Sequence, residues 1–394
     1  MRGRRRVLYL MLRQDPELYG GTRSLLVFLE RQTAVDAHVV VAAASPDDPA
    51  LAELARLGIA HEYFPVGEFL AARRRGRWTR RFRRMAMVAR CNLEMLRIIR
   101  RVRPDVVHAD FEGMSLIAPA ARLAGYPVVQ HLRGAQATGR LGTTLHATML
   151  LADRTVIVSE SLLRDCVSLM VPAFRRRVVP RLRSVPNGVP LERIQAYLES
   201  VSREEARAAL GMAPDEVAVG LIGGIFGHKG QREFLEAAAP SVAAADPRVR
   251  FYLVGGVKDE EYARGCREAA GRGPLAGRVT FAGWQDDVYR WFRALDLVAF
   301  PSFTEGFGRA VAEAQAFGVP VVASDIVGIR DTVQEGVGGF FARTPEEFAA
   351  RLLALAADPA LRAEMGRRGQ AFVRRFEVGR VTRELEQVYD GLYR

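Results

Sequence analysis

The chain contains little cysteine. Cys91, Cys166 and Cys266 are the only three cysteines among 394 residues, and they lie far apart in the sequence. Their odd number and wide spacing exclude a disulfide framework and a cysteine-rich zinc site. This cysteine usage is typical of a reducing compartment, so we expect a cytoplasmic protein.

Long apolar runs are also missing. No run approaches the roughly 20 apolar residues that a membrane-spanning helix requires. The arginine-rich start leads into Val7 to Leu12, which is too short for the core of a signal peptide, and we interpret it as the first strand. With 49% hydrophobic and 26% charged residues, the composition is typical of a soluble globular protein. The length predicts two α/β domains.

Lysine is almost absent, although the chain is strongly basic. The formal net charge is +12, and Lys229 and Lys258 are the only lysines, so the excess is arginine. This charge predicts an anionic partner, while arginine in place of lysine is equally typical of a GC-rich genome. The segment Arg73–Arg84 concentrates positive charge around Trp78 and Phe82. We expect it to dock on an anionic membrane surface or to bind an acidic acceptor; a solvated helix face is the alternative.

Strand-like apolar runs alternate with helical segments along the chain, which predicts an α/β protein. A first series ends at the turn-rich segment Val185–Pro190. A second series has strand-like runs near residues 217–222, 249–254, 279–281, 295–300, 319–323 and 339–342. We therefore predict two Rossmann-like, doubly wound domains at residues 1–190 and 191–375, followed by a carboxyl-terminal helix within residues 376–394.

The stretch Pro301–Asp325 is the most informative part of the second series. An apolar strand precedes it, a helix is predicted from Gly306 to Phe317, and another strand follows. Such a unit requires a parallel sheet and places the loop at the carboxyl edge, where α/β proteins bind ligands. Glu305 precedes the predicted helix, and Glu313 lies eight residues later, about two turns on and on nearly the same side. We predict that both carboxylates and the first amides of the helix bind one polar ligand.

This stretch resembles the E-x7-E signature of retaining nucleotide-sugar glycosyltransferases of family 4. The family has the GT-B fold, in which two Rossmann-like domains enclose an interdomain cleft. The resemblance implies that the first domain binds the acceptor, the second binds the nucleotide sugar, and the carboxyl-terminal helix crosses back to the first. It also implies that Glu313 binds the ribose hydroxyls, that Glu305 binds the donor sugar as a catalytic residue, and that the amides of Gly306, Phe307 and Gly308 hold the sugar and phosphate.

A glycine-rich loop, Ile222–Gly230, follows a predicted strand and precedes a predicted helix. Its glycines, Gly223 and Gly224, together with Lys229 and a helix amino terminus, suit a diphosphate, although the P-loop pattern is not met. The similar family element has an arginine where Gly224 stands, so Lys229 or another arginine must neutralise the phosphates, and Arg309 is a candidate.

Three further glycines belong to the donor site that the resemblance implies. Gly20 and Gly21 follow the first strand, and in the family such a pair lies against the donor diphosphate. Gly283, with Trp284, corresponds to the segment that frames the base, where we expect backbone contact.

The end of the predicted strand Tyr126–Arg133 holds His131 and Arg133. The family frequently has a histidine near the reacting sugar at this turn. Aligned on Pro127 and the two valines after it, that position is Arg133, while His131 falls two residues earlier. Both remain candidates for a catalytic role. The nearby pair His108 and Asp110 is expected to be mainly structural.

No metal-binding motif appears at a strand end, so we expect no metal and no cofactor, with the nucleotide sugar as co-substrate. The resemblance therefore predicts a hexosyltransferase-like enzyme that acts on a hydroxyl of a glycan, a lipid-linked acceptor or another acceptor. We expect a role in cell-envelope, exopolysaccharide or glycoconjugate biosynthesis, in the cytoplasm or at the inner face of the cytoplasmic membrane. A sugar-nucleotide epimerase of the same fold is the alternative. Nucleic-acid binding is a second alternative, but no recognised module is present, so we expect no nucleic-acid partner.

Overall fold

The protein divides into two compact units. Unit 1 comprises Met1–Gly188 and Val378–Arg394, and unit 2 comprises Val189–Glu377. The computed structural model describes residues 4–13, 20–32, 34–66, 79–110, 113–134 and 148–392, without the side chains of residues 79–85 and 87. Half of the predicted docking segment Arg73–Arg84 lies outside the described residues, and only the backbone of its last six residues is described.

Unit 1 contains a seven-stranded parallel sheet in the order β3-β2-β1-β4-β5-β6-β7. Its strands are β1 (Arg5–Leu12), β2 (Val35–Ala43), β3 (Ala60–Pro65), β4 (Val106–Asp110), β5 (Val128–Leu132), β6 (Arg154–Ile157) and β7 (Leu182–Ser184). Its helices are α1 (Gly20–Arg31), α2 (Pro49–Arg56), α3 (Thr79–Val102), α4 (Met114–Leu123), α5 (Glu160–Ser168), α6 (Pro172–Val178) and, from the end of the chain, α15 (Val378–Tyr389).

The sheet of unit 1 is buried on both faces, which is why its strands read as continuous apolar runs. Successive side chains of β1 point to opposite faces. Leu8 and Leu10 pack with Met95 of α3 and with α4, while Tyr9 packs with Leu25 of α1 and with α15. The first and last segments of unit 1 therefore share one core.

Unit 2 contains a six-stranded parallel sheet in the order β10-β9-β8-β11-β12-β13. Its strands are β8 (Val217–Ile222), β9 (Val249–Val254), β10 (Val279–Gly283), β11 (Leu297–Phe300), β12 (Val321–Ser324) and β13 (Gly339–Ala342). Its helices are α7 (Leu191–Ser200), α8 (Arg203–Ala209), α9 (Gln231–Ala245), α10 (Glu260–Ala270), α11 (Val288–Ala294), α12 (Arg309–Ala316), α13 (Pro345–Ala357) and α14 (Pro359–Val373).

Short 3-10 helices complete the described secondary structure. They cover Val179–Arg181 in unit 1 and Gly227–Lys229, Gly273–Leu275 and Arg374–Phe376 in unit 2. The core of unit 2 joins β8, β9 and β11 to α9, α10 and α13 through apolar side chains such as Val219, Phe234, Phe251 and Leu352.

Several predicted boundaries are wrong. The helix expected from Gly306 begins only at Arg309, because Gly308 has φ +69°, a left-handed conformation that a right-handed helix cannot contain. Glu313 is therefore about one turn into α12, and helical periodicity does not relate it to Glu305. Gly20 and Gly21, which we expected between the first strand and the donor diphosphate, lie in the first turn of α1.

The three-residue strand β7 was not predicted, since it is too short to show alternation. The carboxyl-terminal helix, predicted within residues 376–394, runs from Val378 to Tyr389. In the part of the chain that the structure describes, every helix is too short or too polar to cross a membrane.

Candidate functional site

The centre of the sheet of unit 2 brings the two predicted ligand loops together. The strand order reverses between β8 and β11, which are neighbours in the sheet. Open α/β sheets bind ligands at such a switch point, beyond the carboxyl ends of the strands. The glycine–lysine loop, residues 223–230, follows β8, and the glutamate loop, residues 301–308, follows β11. Topology therefore places both loops at one ligand-binding edge.

Lys229 and Glu305 form an ion pair across these loops. Nζ of Lys229 donates a hydrogen bond to Oε1 of Glu305, and Oγ of Ser302 donates to the same oxygen at 3.2 Å. The ammonium group also lies 5.2 Å from the centre of the Phe300 ring. Both charged side chains are partly buried, with 21% and 14% of their surface exposed. Sequence reasoning assigned these residues to different parts of a ligand and did not predict that they pair.

The backbones of the two loops also touch. The amide of Phe303 donates to the carbonyl of His228 at 2.9 Å. Gly230 has φ +68°, and a Cβ atom there would lie only 2.1 Å from the carbonyl oxygen of Pro301. Only glycine satisfies both conditions, so Gly230 allows the close approach that brings Lys229 to Glu305.

Glu313 is paired with Arg309 one turn before it. Nε and Nη2 of Arg309 donate to the same carboxylate oxygen at 2.9 and 2.7 Å. The side chain of Glu313 is only 7% exposed, and a buried carboxylate without a cationic partner would be costly. Nη1 of Arg309 is buried and has no hydrogen-bond partner among the described residues. The predicted phosphate-binding role of Arg309 therefore competes with its pairing to Glu313.

The segment Gly306–Gly308 is held by close backbone packing. A Cβ atom at Gly308 would lie 2.3 Å from Cδ1 of Ile329, and one at Gly328 would lie 2.5 Å from the carbonyl oxygen of Glu305. The Phe307 side chain is buried against Phe376, with ring centres 5.1 Å apart. Any contact of Phe307 with a ligand would therefore come from its backbone, as predicted.

Gly283 ends β10 at the same sheet edge. It has φ +67°, and its carbonyl accepts a hydrogen bond from the amide of Gly255 at 2.8 Å. Its neighbour Trp284 is half-buried and donates from Nε1 to Asp286 at 3.1 Å. The predicted base-framing segment thus lies two strands from β8, on the side away from β11.

In unit 1, a chain of hydrogen bonds runs through the face of the sheet that α1 and α15 cover. The hydroxyls of Tyr9 and Tyr389 lie 3.0 Å apart, and the Tyr389 hydroxyl lies 2.7 Å from Nδ1 of His108. Nε2 of His108 lies 3.1 Å from Nδ1 of His131. Burial and the Arg133 charge lower the pKa of His108 to about 3, and the same causes, with His108, hold the pKa of His131 well below its usual value. Both imidazoles are therefore neutral at pH 7.

The donors in this chain determine the tautomer of each histidine. Nη2 of Arg133 lies 3.3 Å from Nδ1 of His131, and a guanidinium can only donate. Nδ1 of His131 is therefore the acceptor, and the single proton of its ring is on Nε2. His108 must then donate from Nε2 and accept from Tyr389 at Nδ1. Nε2 of His131 is buried and has no partner among the described residues, so it presents an N–H donor.

Arg133 is held in place by three neighbours. Nε donates to Asp110 at 3.1 Å and Nη1 donates to Asn187 at 2.9 Å, in addition to the contact with His131. A Cβ atom at Gly21 would lie 3.4 Å from Cδ of Arg133, so the start of α1 lies beside this cluster. We had assigned Asn187 only to the domain boundary. His108 and Asp110 are two positions apart in the sequence, as are His131 and Arg133. In a strand this spacing places both side chains on one face, and it was the available signal for this cluster.

No three histidine, cysteine or carboxylate side chains in the described ranges lie together in a way that could hold a metal ion.

Comparison with known proteins identifies the family of the two units. Residues 19–193 match the glycosyltransferase family 4 domain, and residues 216–358 match the domain described as glycosyl transferases group 1. A D-inositol 3-phosphate glycosyltransferase from Mycobacterium marinum is 32% identical over 247 residues, which are 61% of this chain and 49% of that relative. The chain spans about half the length of the curated relatives it matches, or less.

Solved structures share the fold over nearly the whole chain. The Anabaena protein HepE in complex with UDP-glucose has a TM-score of 0.76 at 22% identity, covering 97% of this chain and 98% of that one. A glycosyltransferase from Rickettsia africae has a TM-score of 0.80 at 14% identity, covering 99% of both chains. Together with the two domain matches, this likeness shows that the chain has the GT-B fold and belongs to glycosyltransferase family 4.

Proposed function

We propose that the chain is a retaining, metal-independent glycosyltransferase that moves a hexosyl group from a nucleotide-diphosphate sugar to an acceptor hydroxyl. The observation that carries this proposal is the Lys229–Glu305 ion pair at the switch point of unit 2. It provides a cation for a diphosphate and a carboxylate for sugar hydroxyls at one sheet edge. The fold likeness to a protein that binds UDP-glucose supports a nucleotide sugar as the donor.

Donor binding would separate Lys229 from Glu305 and give each of them a new partner. The diphosphate takes the place of Glu305 on Lys229, and the released Glu305 carboxylate accepts hydrogen bonds from sugar hydroxyls. Glu313 accepts from the ribose hydroxyls. The amides at the start of α12 and the lysine stabilise the charge that develops on the leaving diphosphate, which replaces a metal ion in that role.

The transfer step needs no separate protein base. The bond between the anomeric carbon and the diphosphate oxygen breaks, and a bond to the acceptor oxygen forms on the same face of the sugar. The acceptor proton passes to the departing diphosphate. In unit 1, His131 would donate from Nε2 to an oxygen of the sugar or acceptor, while Arg133, held by Asp110 and Asn187, orients the histidine.

A donor screen followed by a transfer assay tests the proposal. Thermal unfolding would be measured with UDP-, GDP- and ADP-sugars, and the stabilising donor would then be incubated with acceptors. Inositol phosphate is the first acceptor to test, because relatives carry that substrate in their names. Formation of a glycoside with the donor's anomeric configuration, without added metal, is expected. An inverted product, or an epimerised sugar released without acceptor, would contradict the proposal.

We also propose a peripheral position at the inner face of the cytoplasmic membrane, with a lipid-linked or glycan acceptor of the cell envelope. The described part of unit 1 supports this with the exposed arginines Arg175, Arg176 and Arg177 of α6, which follow the exposed Val171. Flotation with anionic vesicles, but not with neutral ones, is expected. Equal flotation with both vesicle types, or with neither, would contradict this position.

A further inference from the structure

The two lysines of the chain lie against the same pair of glycines. Lys229 follows β8 and Lys258 follows β9, so both lie at the carboxyl edge of the sheet of unit 2. A Cβ atom at Gly223 would lie 3.6 Å from Cε of Lys229, and one at Gly224 would lie 3.2 Å from Cε of Lys258. One lysine stem thus covers each glycine. The other cationic side chains counted in the net charge are all arginines, and the only two lysines both lie against the loop that follows β8.

The position of Lys258 is determined by backbone hydrogen bonds between the two loops. The amide of Ile225 donates to the carbonyl of Gly256 at 2.9 Å, and the amide of Lys258 donates back to the carbonyl of Ile225 at 3.1 Å. Gly255 allows this contact, because a Cβ atom there would lie 2.1 Å from the carbonyl oxygen of Gly223. The Lys258 ammonium group also lies 5.6 Å from the centre of the Phe226 ring. The lysine stem therefore occupies the space that a side chain at position 224 would take.

The charge balance at this edge indicates that a second cation is needed to bind a diphosphate. Lys229 and Glu305 neutralise each other, whereas a nucleoside diphosphate brings about two or more negative charges to the loop. We propose that Lys258 is a second phosphate-binding residue and supplies the positive charge that Gly224 cannot. This rests on the proposed function, since it assumes that the loop after β8 binds the diphosphate of the donor.

Binding of UDP, GDP and ADP to the full chain, measured by isothermal titration calorimetry, tests this role. In the K258M variant, the methionine keeps an unbranched stem over Gly224 but has no charge. We expect its Kd for the preferred diphosphate to rise about tenfold, which is typical for loss of one hydrogen bond to a charged group. K258R should bind nearly as wild type does. R272A, which removes one exposed positive charge at the end of α10, is the matched control and should bind as wild type.

A relocation experiment separates a charge role from a packing role. Gly224 does not have a left-handed φ, and its nearest neighbours are the atoms of Lys258, so the double variant G224R/K258A has both the backbone and the space for an arginine. We expect it to recover most of the affinity that K258A loses. Unchanged affinity in K258M, equal losses in K258M and R272A, or no recovery in the double variant would each overturn the assignment. Wild-type protein that binds none of the three diphosphates would instead overturn the proposed function.

Discussion

The two units carry the same kind of sheet but opposite kinds of polar cluster. In unit 2, the cluster consists of two ion pairs: Lys229–Glu305 joins the loops that follow two adjacent strands, and Arg309–Glu313 lies within α12. In unit 1, it is a buried chain of neutral groups that ends at the ion pair of Arg133 with Asp110. The members of an ion pair can each bind a charged ligand instead of one another, whereas a series of hydrogen bonds between neutral side chains holds those side chains in one orientation. We therefore propose that the cluster of unit 2 binds a charged ligand and that the cluster of unit 1 orients hydrogen-bond donors.

The origin of the two clusters differs as well. In the cluster of unit 2, one ion pair joins loops after two neighbouring strands and the other joins residues one turn apart in α12. The cluster of unit 1 joins β1, β4 and β5 to α15, so Tyr9 and Tyr389 meet although they are 380 positions apart. The first arrangement follows from local motifs and the second from tertiary packing.

Substitution of Glu305 should have the largest effect. We expect E305Q to lower kcat for sugar transfer by about two to three orders of magnitude, because in the proposed mechanism the carboxylate contacts the sugar at the step where charge develops. Thermal unfolding should change little, since Lys229 is partly exposed and can be hydrated. The rate is measured with the donor found in the screen. A variant that folds and transfers at the wild-type rate would remove Glu305 from the site and weaken the contrast between the units.

Substitution of Glu313 should mainly reduce stability. E313A leaves the mostly buried Arg309 without its carboxylate, which we expect to cost about 3 kcal/mol in the free energy of unfolding. The double variant R309M/E313A removes both charges and should recover most of that loss. Urea unfolding of the three proteins measures the coupling. If the double variant is as unstable as E313A, pairing is not the reason for the burial of Glu313.

The neutral cluster of unit 1 should make stability depend on pH. The pKa of His108 is about 3 in the folded protein and near 6.5 in the unfolded chain, so below pH 6.5 the unfolded state binds more protons. Stability is therefore retained above pH 6.5 and falls as the pH decreases towards 3, by about 2 kcal/mol for this histidine at pH 5. Urea unfolding of wild type and H108Q at pH 7.5 and pH 5 should show a smaller decrease in the variant. Equal decreases would mean that His108 is not held neutral.

The smallest effect is expected at the carboxyl-terminal helix. Y389F removes the hydroxyl that donates to Nδ1 of His108 and should cost about 1 kcal/mol, the usual net value of one hydrogen bond. Donor binding in unit 2 should not change. The neighbouring V388A variant is a control for packing of α15, because it removes a buried apolar group but no member of the hydrogen-bonded chain. Weaker binding of UDP-sugars in Y389F would show that the hydrogen-bonded chain of unit 1 contributes to donor binding.

Much of unit 2 was predictable. The alternation of strands and helices gave the second series of strands, and glycines beside a lysine marked the loop after β8. The pairing of Lys229 with Glu305 was not predictable, because it depends on the adjacency of β8 and β11, which are separated by β9 and β10 in the chain. The start of α12 was misplaced because the φ angle of Gly308 cannot be read from a Gly-Phe-Gly pattern.

The amino-acid sequence by itself determined the α/β class, the family resemblance and the residues that carry charge at the loop edges. These depend on local composition and on periods of two and of about 3.6 residues, which are properties of the chain alone. Only the tertiary structure decided which of these residues meet. The tautomer of His131, the ion pairs of Glu305 and Glu313, and the place of Lys258 over Gly224 all depend on contacts between residues that the fold, and not the chain order, brings within hydrogen-bonding or packing distance.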